Sequence, residues 1–400
     1  MIFVLHEAMS RPAAPAFAPT ALMLGNFVTG TAILAPAGML GELSAGLGVT
    51  IRDAGLLITF GAVVLCIGSP LSAWLTSRIE RRTLLGATLA VLALGNLASA
   101  FAPSYAVLLI IRLIMLSVGA LYTPQAAGTA ALVVPVDKRG GAMAYVFLGW
   151  SLAIAFGLPL VTLIAGHYGW RAAYGGVALI GAVSFALLVW WLPRGLTGVP
   201  VNLKTWAAIG RSRLILMLLL VSTLLTSGQF TVFTYFGPLL KRLADAGPQV
   251  IGLVFAVYGV FGFIGNMIAS RIVDLWGAYR TSLLFISVLL LGASVWALGA
   301  GHLAVMATGV GIWGLGFAAT NSMQQVRLVG ADPLLASATV SLNTSVLYIG
   351  QAVGSALGGT LFAAGYLRQT GYVAMAFIAL ALATVVVMTR AVRRAPGEGA

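Results

Sequence analysis

"SRIERRTLL" occupies residues 77–85 and places four charges, Arg78, Glu80, Arg81 and Arg82, within five residues. The 24 residues before them (54–77) and the 29 after them (83–111) carry no charge. Across all 400 residues only 8% are charged and 60% are hydrophobic; the mean hydropathy is +1.04. A soluble domain carries about 25% charged residues. The uncharged stretches are therefore read as passages through lipid, and the charged turn as a place where the chain is back in water. Crossing a hydrocarbon core takes roughly 20 apolar residues per helix. Lipid offers the backbone no hydrogen bonds, which leaves helices or closed barrels. These stretches are apolar on every face rather than alternating, so they are helices.

Charged and turn-forming breaks divide the chain into twelve expected spans: 18–40, 54–76, 83–101, 105–134, 140–166, 172–192, 214–240, 248–270, 280–300, 303–326, 334–364 and 370–389. "FAPS" (101–104) and "GAGH" (299–302) supply turns, which leaves Arg112 inside span 4. Of the 22 Lys and Arg residues, sixteen fall on the side of the termini, five on the other, and Arg112 between them. The positive-inside rule then puts both termini in the cytoplasm. The formal net charge of +13 follows from that bias and calls for no nucleic-acid partner. Cys66 is the only cysteine, so no disulfide can form within the chain. "MIFVL" at the start lacks the basic region and length of a signal peptide.

The expected organisation is a flexible cytoplasmic tail (1–16), a six-helix half (17–192), a cytoplasmic linker (193–213), a second six-helix half (214–390) and a cytoplasmic tail (391–400). The halves echo one another: "AWLTSRIERR" after span 2 has a counterpart in "SRIVDLWGAYR" (270–280) after span 8. Internal repeats in a polytopic chain point to a transporter whose site lies between the repeats near the midplane. A P-loop is absent, since no Gly-Lys pair occurs, and so are H-E-x2-H and G-x-S-x-G, which removes the common signatures of ATP-driven pumps and membrane hydrolases.

The turn after span 2 resembles the G-x-L-x-D-R-x-G-R-R motif of the major facilitator superfamily. Here Ala73 stands at the first glycine, Ser77 at the aspartate and Glu80 at the second glycine, while Arg78, Arg81 and Arg82 match. The second copy keeps Arg271, Asp274, Gly277 and Arg280. "IIRLIMLSVGALYTPQAAGTAALVVP" is similar to the span-4 arginine motif of proton-coupled members. "GWRAAY" (169–174) is similar to the outer end of span 5. "GQFTVFTYFGPLL" and "LNTSVLYIGQAVGSALGG" resemble spans 7 and 11 of the twelve-span drug–proton antiporter branch, which includes sugar and nucleoside exporters. Gly149 and "GLPLVT" (157–162) form a partial copy of that branch's span-5 antiporter motif, with a kink expected at Pro159.

The resemblance implies an all-α membrane protein of two pseudo-symmetric six-helix halves in the bacterial inner membrane. It also implies alternating access, no cofactor and a monomer. Arg78, Arg81, Arg82, Arg271, Asp274, Arg280 and Pro159 would act in gating. Spans 1, 4, 7 and 10 line the cavity in this family. The residues there are Asn26, Thr29, Arg112, Tyr122, Gln125, Gln229, Phe233, Phe236, Asn321 and Gln324, amides and rings suited to a small amphipathic solute. All nine acids fall in tails, loops or span ends. A proton carrier needs a group with a tunable pKa, so Asp53 and Glu42 at the outer rim are the candidates for exchange against protons. The alternatives are a sugar or nucleoside facilitator or exporter without proton coupling, and a transport-inactive sensor on the same fold.

Overall fold

A computed structural model describes residues 17–76, 78–135, 139–197, 209–332 and 336–394. The N-terminal tail, Ser77, the middle of the linker (198–208) and residues 395–400 lie outside the described residues. Among the described residues there is no strand. Span 1 is α1 (Ala18–Gly38), followed by a short helix α2 (Leu40–Leu47); span 2 is α3 (Ile51–Leu75) and span 3 is α4 (Arg81–Ala100). Span 4 combines α5 (Tyr105–Gly119) and α6 (Tyr122–Leu132). Span 5 runs through α7 (Arg139–Leu152), a π-helical turn (Ala153–Gly157) and the start of α8 (Leu158–Trp191), whose remainder is span 6. In the second half α9 (Arg213–Phe233) and α10 (Phe236–Ala244) form span 7, and α11 (Pro248–Leu298) forms spans 8 and 9. Spans 10, 11 and 12 are α12 (Leu303–Ala331), α13 (Ala336–Ala363) and α14 (Gln369–Arg394). The last helix continues four residues into the expected C-terminal tail.

Ten of the described helical stretches are long and apolar enough to cross a membrane. Two of them reverse direction at a glycine, Gly169 (φ 83°, ψ 161°) and Gly277 (φ 77°, ψ 156°), so the ten make twelve spans. That corner of backbone space is essentially reserved for glycine. An even number of crossings brings both ends of the described chain out on one face, called here the termini side.

Side chains sort as lipid demands. Ile110 and Ile114 of α5 are 57% and 63% exposed, while Arg112 between them is 0% exposed. Two residues along a helix is a rotation of about 200°, so the apolar pair faces lipid and the arginine faces inward. Three helix starts among the described residues carry side-chain caps. Ser104 and Ser212 accept from the amides of Val107 and Ile215. At span 2 Thr50 accepts from the Asp53 amide at 3.0 Å and donates to its carboxylate at 2.7 Å, a side-chain N-cap.

Lipid supplies no hydrophobic drive between helices, so close approach of small residues holds them together. Span 11 approaches span 7 through Gly350, Gly354 and Gly358, where a β-carbon would lie 2.6 Å from Thr223 O, 2.3 Å from Ser227 O and 2.2 Å from Thr231 O. Span 5 approaches span 1 through Gly149 and Gly157, where a β-carbon would lie 2.4 Å from Met23 O and 2.2 Å from Thr31 Oγ1. Thr31 donates to Phe27 O and Thr231 to Ser227 O, both at 2.8 Å. The two seams are the same construction about 200 residues apart, the packing counterpart of the repeated charged turn.

Candidate functional site

The cavity-lining residues expected from sequence fall into separate groups. In the first half, Asn26 is fully buried; its Nδ2 donates to Val146 O at 2.9 Å and its Oδ1 accepts from Thr123 at 2.7 Å. Trp150 Nε1 donates to Thr123 Oγ1 at 3.1 Å, which joins spans 1, 4 and 5 in one network. Thr29 turns back to Gly25 O at 2.8 Å, and Tyr122 donates to Leu22 O at 3.3 Å. Gln125 accepts from Arg81, which is itself buried. Arg112 stands apart from these, nearer the far side. Its Nη2 donates to Ala32 O at 3.0 Å and Ile33 O at 3.2 Å, and its guanidinium lies 5.7 Å from the Tyr174 ring centre.

In the second half Gln229 Oε1 accepts from Tyr258 at 3.5 Å. Phe233 and Phe236 sit inside a ring cluster with Phe255, Tyr258, Trp296 and Trp313, Phe236 lying 5.0 Å from Trp296. Gln324 is nearer the termini side, where its Oε1 accepts from Arg327 at 3.2 Å; Asn321 is half-buried. The amides Gln229 Nε2, Gln324 Nε2 and Gln351 Nε2, and both polar atoms of Asn343, are buried with no partner. Asn343 and Gln351 lie on span 11, outside spans 1, 4, 7 and 10 that the resemblance singles out as cavity-lining, so the sequence did not mark them.

The two halves meet on the far side. Thr59 of span 2 donates to Ser355 of span 11 at 3.0 Å, and Tyr235 donates to Ser355 O at 3.1 Å. A β-carbon at Gly55 would lie 2.2 Å from the Tyr235 hydroxyl. Spans 5 and 8 make the second seam: Gly259 abuts Ala155 in the π-helical turn, Gly252 faces Pro159 O, and Gln249 reaches His167 at 3.2 Å. Pro159 is buried in this seam. Its missing N–H would break an α-helical ladder, and the π-helical turn just before it takes up the distortion. The signal for both seams was present as glycines at 55, 252, 259 and 359, which composition alone does not single out.

On the termini side the charged turns reach no opposite half among the described residues. The side chains of Arg78, Arg271, Asp274 and Arg280 are exposed and form no hydrogen bond or ion pair there. Arg81 and Arg82 turn into their own half, Arg82 donating to Val189 O. Glu80 does not reach toward the second half. It accepts from Thr83 at 2.5 Å and from the Gly195 amide at 2.9 Å, while the Arg81 amide donates to Leu196 O, so it pins the start of the linker. Those two hydrogen bonds, Thr83 first, hold its carboxyl below the usual range.

The rim acids differ in their surroundings. Asp53 is engaged in the span 2 cap. Glu42 on α2 is half-buried, and burial pushes its carboxyl up despite the opposing pull of a backbone hydrogen bond and of Lys241 from the second half.

Comparison with known proteins agrees with this architecture. The family model described as Major Facilitator Superfamily matches residues 22–331. The chain is 31% identical over 348 residues to "Inner membrane transport protein YdhP" of Escherichia coli (strain K12), covering 86% of this chain and 88% of that protein. It is 25% identical over 372 residues to "Probable sugar efflux transporter" of Mannheimia succiniciproducens, covering 92% and 93%. Among solved structures, a bacterial homolog of the human lysosomal transporter Spinster, inward-facing and occupied, superposes with a TM-score of 0.75 at 15% identity, covering 94% and 97%. A D-xylose-proton symporter superposes with a TM-score of 0.74 at 15% identity, covering 92% and 97%. With its twelve-span fold, its two matching halves and these relatives, the chain belongs to the Major Facilitator Superfamily of membrane transporters.

Proposed function

We propose that this transporter exports a small amphipathic solute by alternating access, in exchange for protons, and that the structure is its inward-open state. The observation that carries the reading is the one-sidedness of the seam. Thr59, Ser355, Gly55 and Tyr235, together with Ala155 and Gly259, join the halves on the far side. On the termini side Arg78, Arg271, Asp274 and Arg280 stand exposed. The 16:5 bias in Lys and Arg supports a cytoplasmic termini side. The two relatives, an inner membrane transport protein and a probable sugar efflux transporter, support an inner-membrane location and export. In the opposite state the charged turns after spans 2 and 8 would close on one another and lock by charge-assisted bonds.

Asn26, Thr29, Arg112, Tyr122, Gln125, Gln229, Phe233, Phe236, Asn321 and Gln324 remain the proposed substrate contacts, joined by Asn343 and Gln351. Buried amides with free N–H groups suit a ligand that brings acceptors of its own. A strongly cationic solute would find no carboxylate in the interior of any described span, so it should be a poor substrate.

That absence also favours a second reading, export of a neutral sugar or nucleoside without proton coupling, because Asp53 is occupied as a cap. Proteoliposomes with and without an imposed pH gradient decide between them. Faster and more extensive movement of a neutral solute under the gradient supports exchange. Equal rate and extent leave the uncoupled reading.

A further inference from the structure

Arg112 presents more donors than its surroundings accept. The guanidinium carries five N–H groups and stays protonated in proteins. Nη2 is served by Ala32 O and Ile33 O, but Nε and Nη1 have no partner and the side chain is 0% exposed. The Tyr174 hydroxyl is enclosed beside the same guanidinium, to which it makes no hydrogen bond of ordinary geometry, so its own O–H proton has no acceptor. Among the described residues no carboxylate lies in a span interior and no ion pair forms with Arg112. An unpaired charge at this depth is expensive. Asn26, also fully buried in the same half, has both ends of its amide matched; the other unpartnered atoms of the described interior are neutral, and Arg112 adds a full charge to two idle donors.

We propose that Arg112 and Tyr174 form a binding site for one small monovalent anion, a halide or the carboxylate group of an organic solute. Nε–H, Nη1–H and the tyrosine O–H supply its hydrogen bonds. A water molecule would serve those donors and leave the positive charge uncompensated; an anion answers both. Leu108 and Met115, a turn away on either side along the same helix, are buried and apolar. That setting favours a weakly hydrated monovalent ion over sulfate or phosphate. The competing occupant is a water shared with Asn96 Oδ1, an orphan acceptor whose own amide lies 3.4 Å from the Met115 sulfur. A halide there requires only this fold and is independent of the direction of transport, whereas a carboxylate there rests on the reading of Arg112 as a substrate contact.

The test is thermal unfolding of the full chain in detergent at constant ionic strength. Sodium gluconate, whose anion is too large for an enclosed site, is replaced stepwise by chloride or by acetate. Binding to the folded state raises the midpoint with concentration. A rise with chloride identifies a free halide; a rise with acetate alone identifies a carboxylate group. Tyr174→Phe keeps the ring and removes one donor, and should move the concentration dependence up by about tenfold or more, the worth of one hydrogen bond to a charged group. Arg112→Lys keeps the charge and loses the planar fork, and should flatten the response. Equal midpoints in all three salts overturn the proposal in favour of the shared water. An undiminished response in Tyr174→Phe also overturns it, because the anion then binds elsewhere.

Discussion

Gly259 of span 8 lies against the backbone of Ala155 in span 5, so closely that a β-carbon at 259 would sit 2.3 Å from the Ala155 amide nitrogen. Ala155 belongs to the π-helical turn, and Gly259 to the opposite half of the molecule. The two helices approach this closely only because one partner has no side chain. Gly259→Ala should force these helices apart, an overpacking cost of about 1–3 kcal/mol falling on the closed state alone. Transport should drop by about tenfold or more. A cysteine placed at Thr59, with Cys66 replaced, should become reactive to an impermeant maleimide from the far side. Wild-type transport together with an unreactive cysteine would show that the seam tolerates the methyl group.

Gly277 reverses the chain between spans 8 and 9 at φ 77° and ψ 156°, with open space where a side chain would begin. Gly277→Ala therefore meets backbone strain and no clash. The expected loss is about 1–3 kcal/mol of stability, read as a lower melting midpoint in detergent. Gly277→Asn should not rescue it, because asparagine tolerates the left-handed helical region and not this one. An unchanged midpoint in the alanine variant would show that the turn relaxes freely.

Asp274 is exposed and unbonded in the state described. If the repeated turns lock the opposite state, Asp274→Asn weakens that lock while leaving the present state untouched. Cysteines introduced along 270–280 should then label faster from the termini side. Identical labelling would mean that these charges only set the orientation of the spans.

Glu42 gives a pH dependence with a defined sign. Its folded-state pKa is raised, chiefly by burial, so the folded protein holds this proton more tightly than the unfolded chain. Stability is then lost as pH rises from the ordinary carboxylate range, about 4.3, through the raised value, and the loss persists at neutral pH. Glu42→Gln removes the penalty. Its melting midpoint should exceed that of the wild type at pH 7 and converge with it near pH 4. A lower midpoint at pH 7 would mean that attraction to Lys241 outweighs burial.

The spans were legible because lipid selects on a coarse property, length of uncharged run, which "SRIERRTLL" and its neighbours display directly. The charged turn after span 8 even located the reversal at Gly277. The seam between the halves was not legible. Thr59, Ser355 and Tyr235 are ordinary residues in apolar runs, and they matter only because glycines let two helices meet there. The bonding of Arg112 was hidden for another reason, since its acceptors are backbone carbonyls that leave no mark in the sequence. Glu80, which stands at the motif's second glycine, accepts from the Gly195 amide 115 positions away in the linker, a pairing that leaves no mark in the sequence.

The reversals at Gly169 and Gly277 leave no slack between the helices they join. Spans 5 and 8 form the inter-half seam, and each is tied through one residue to a peripheral neighbour: span 6, with Leu179 and Trp190 66% and 80% exposed, and span 9, with Leu291 54% exposed. Each pair has one arm in the inter-half seam and the other facing the acyl chains. Under the proposed alternating access, bilayer thickness and lateral pressure would act on the same coordinate as the solute, and a thicker or stiffer membrane would shift the balance between the two states without touching any binding residue.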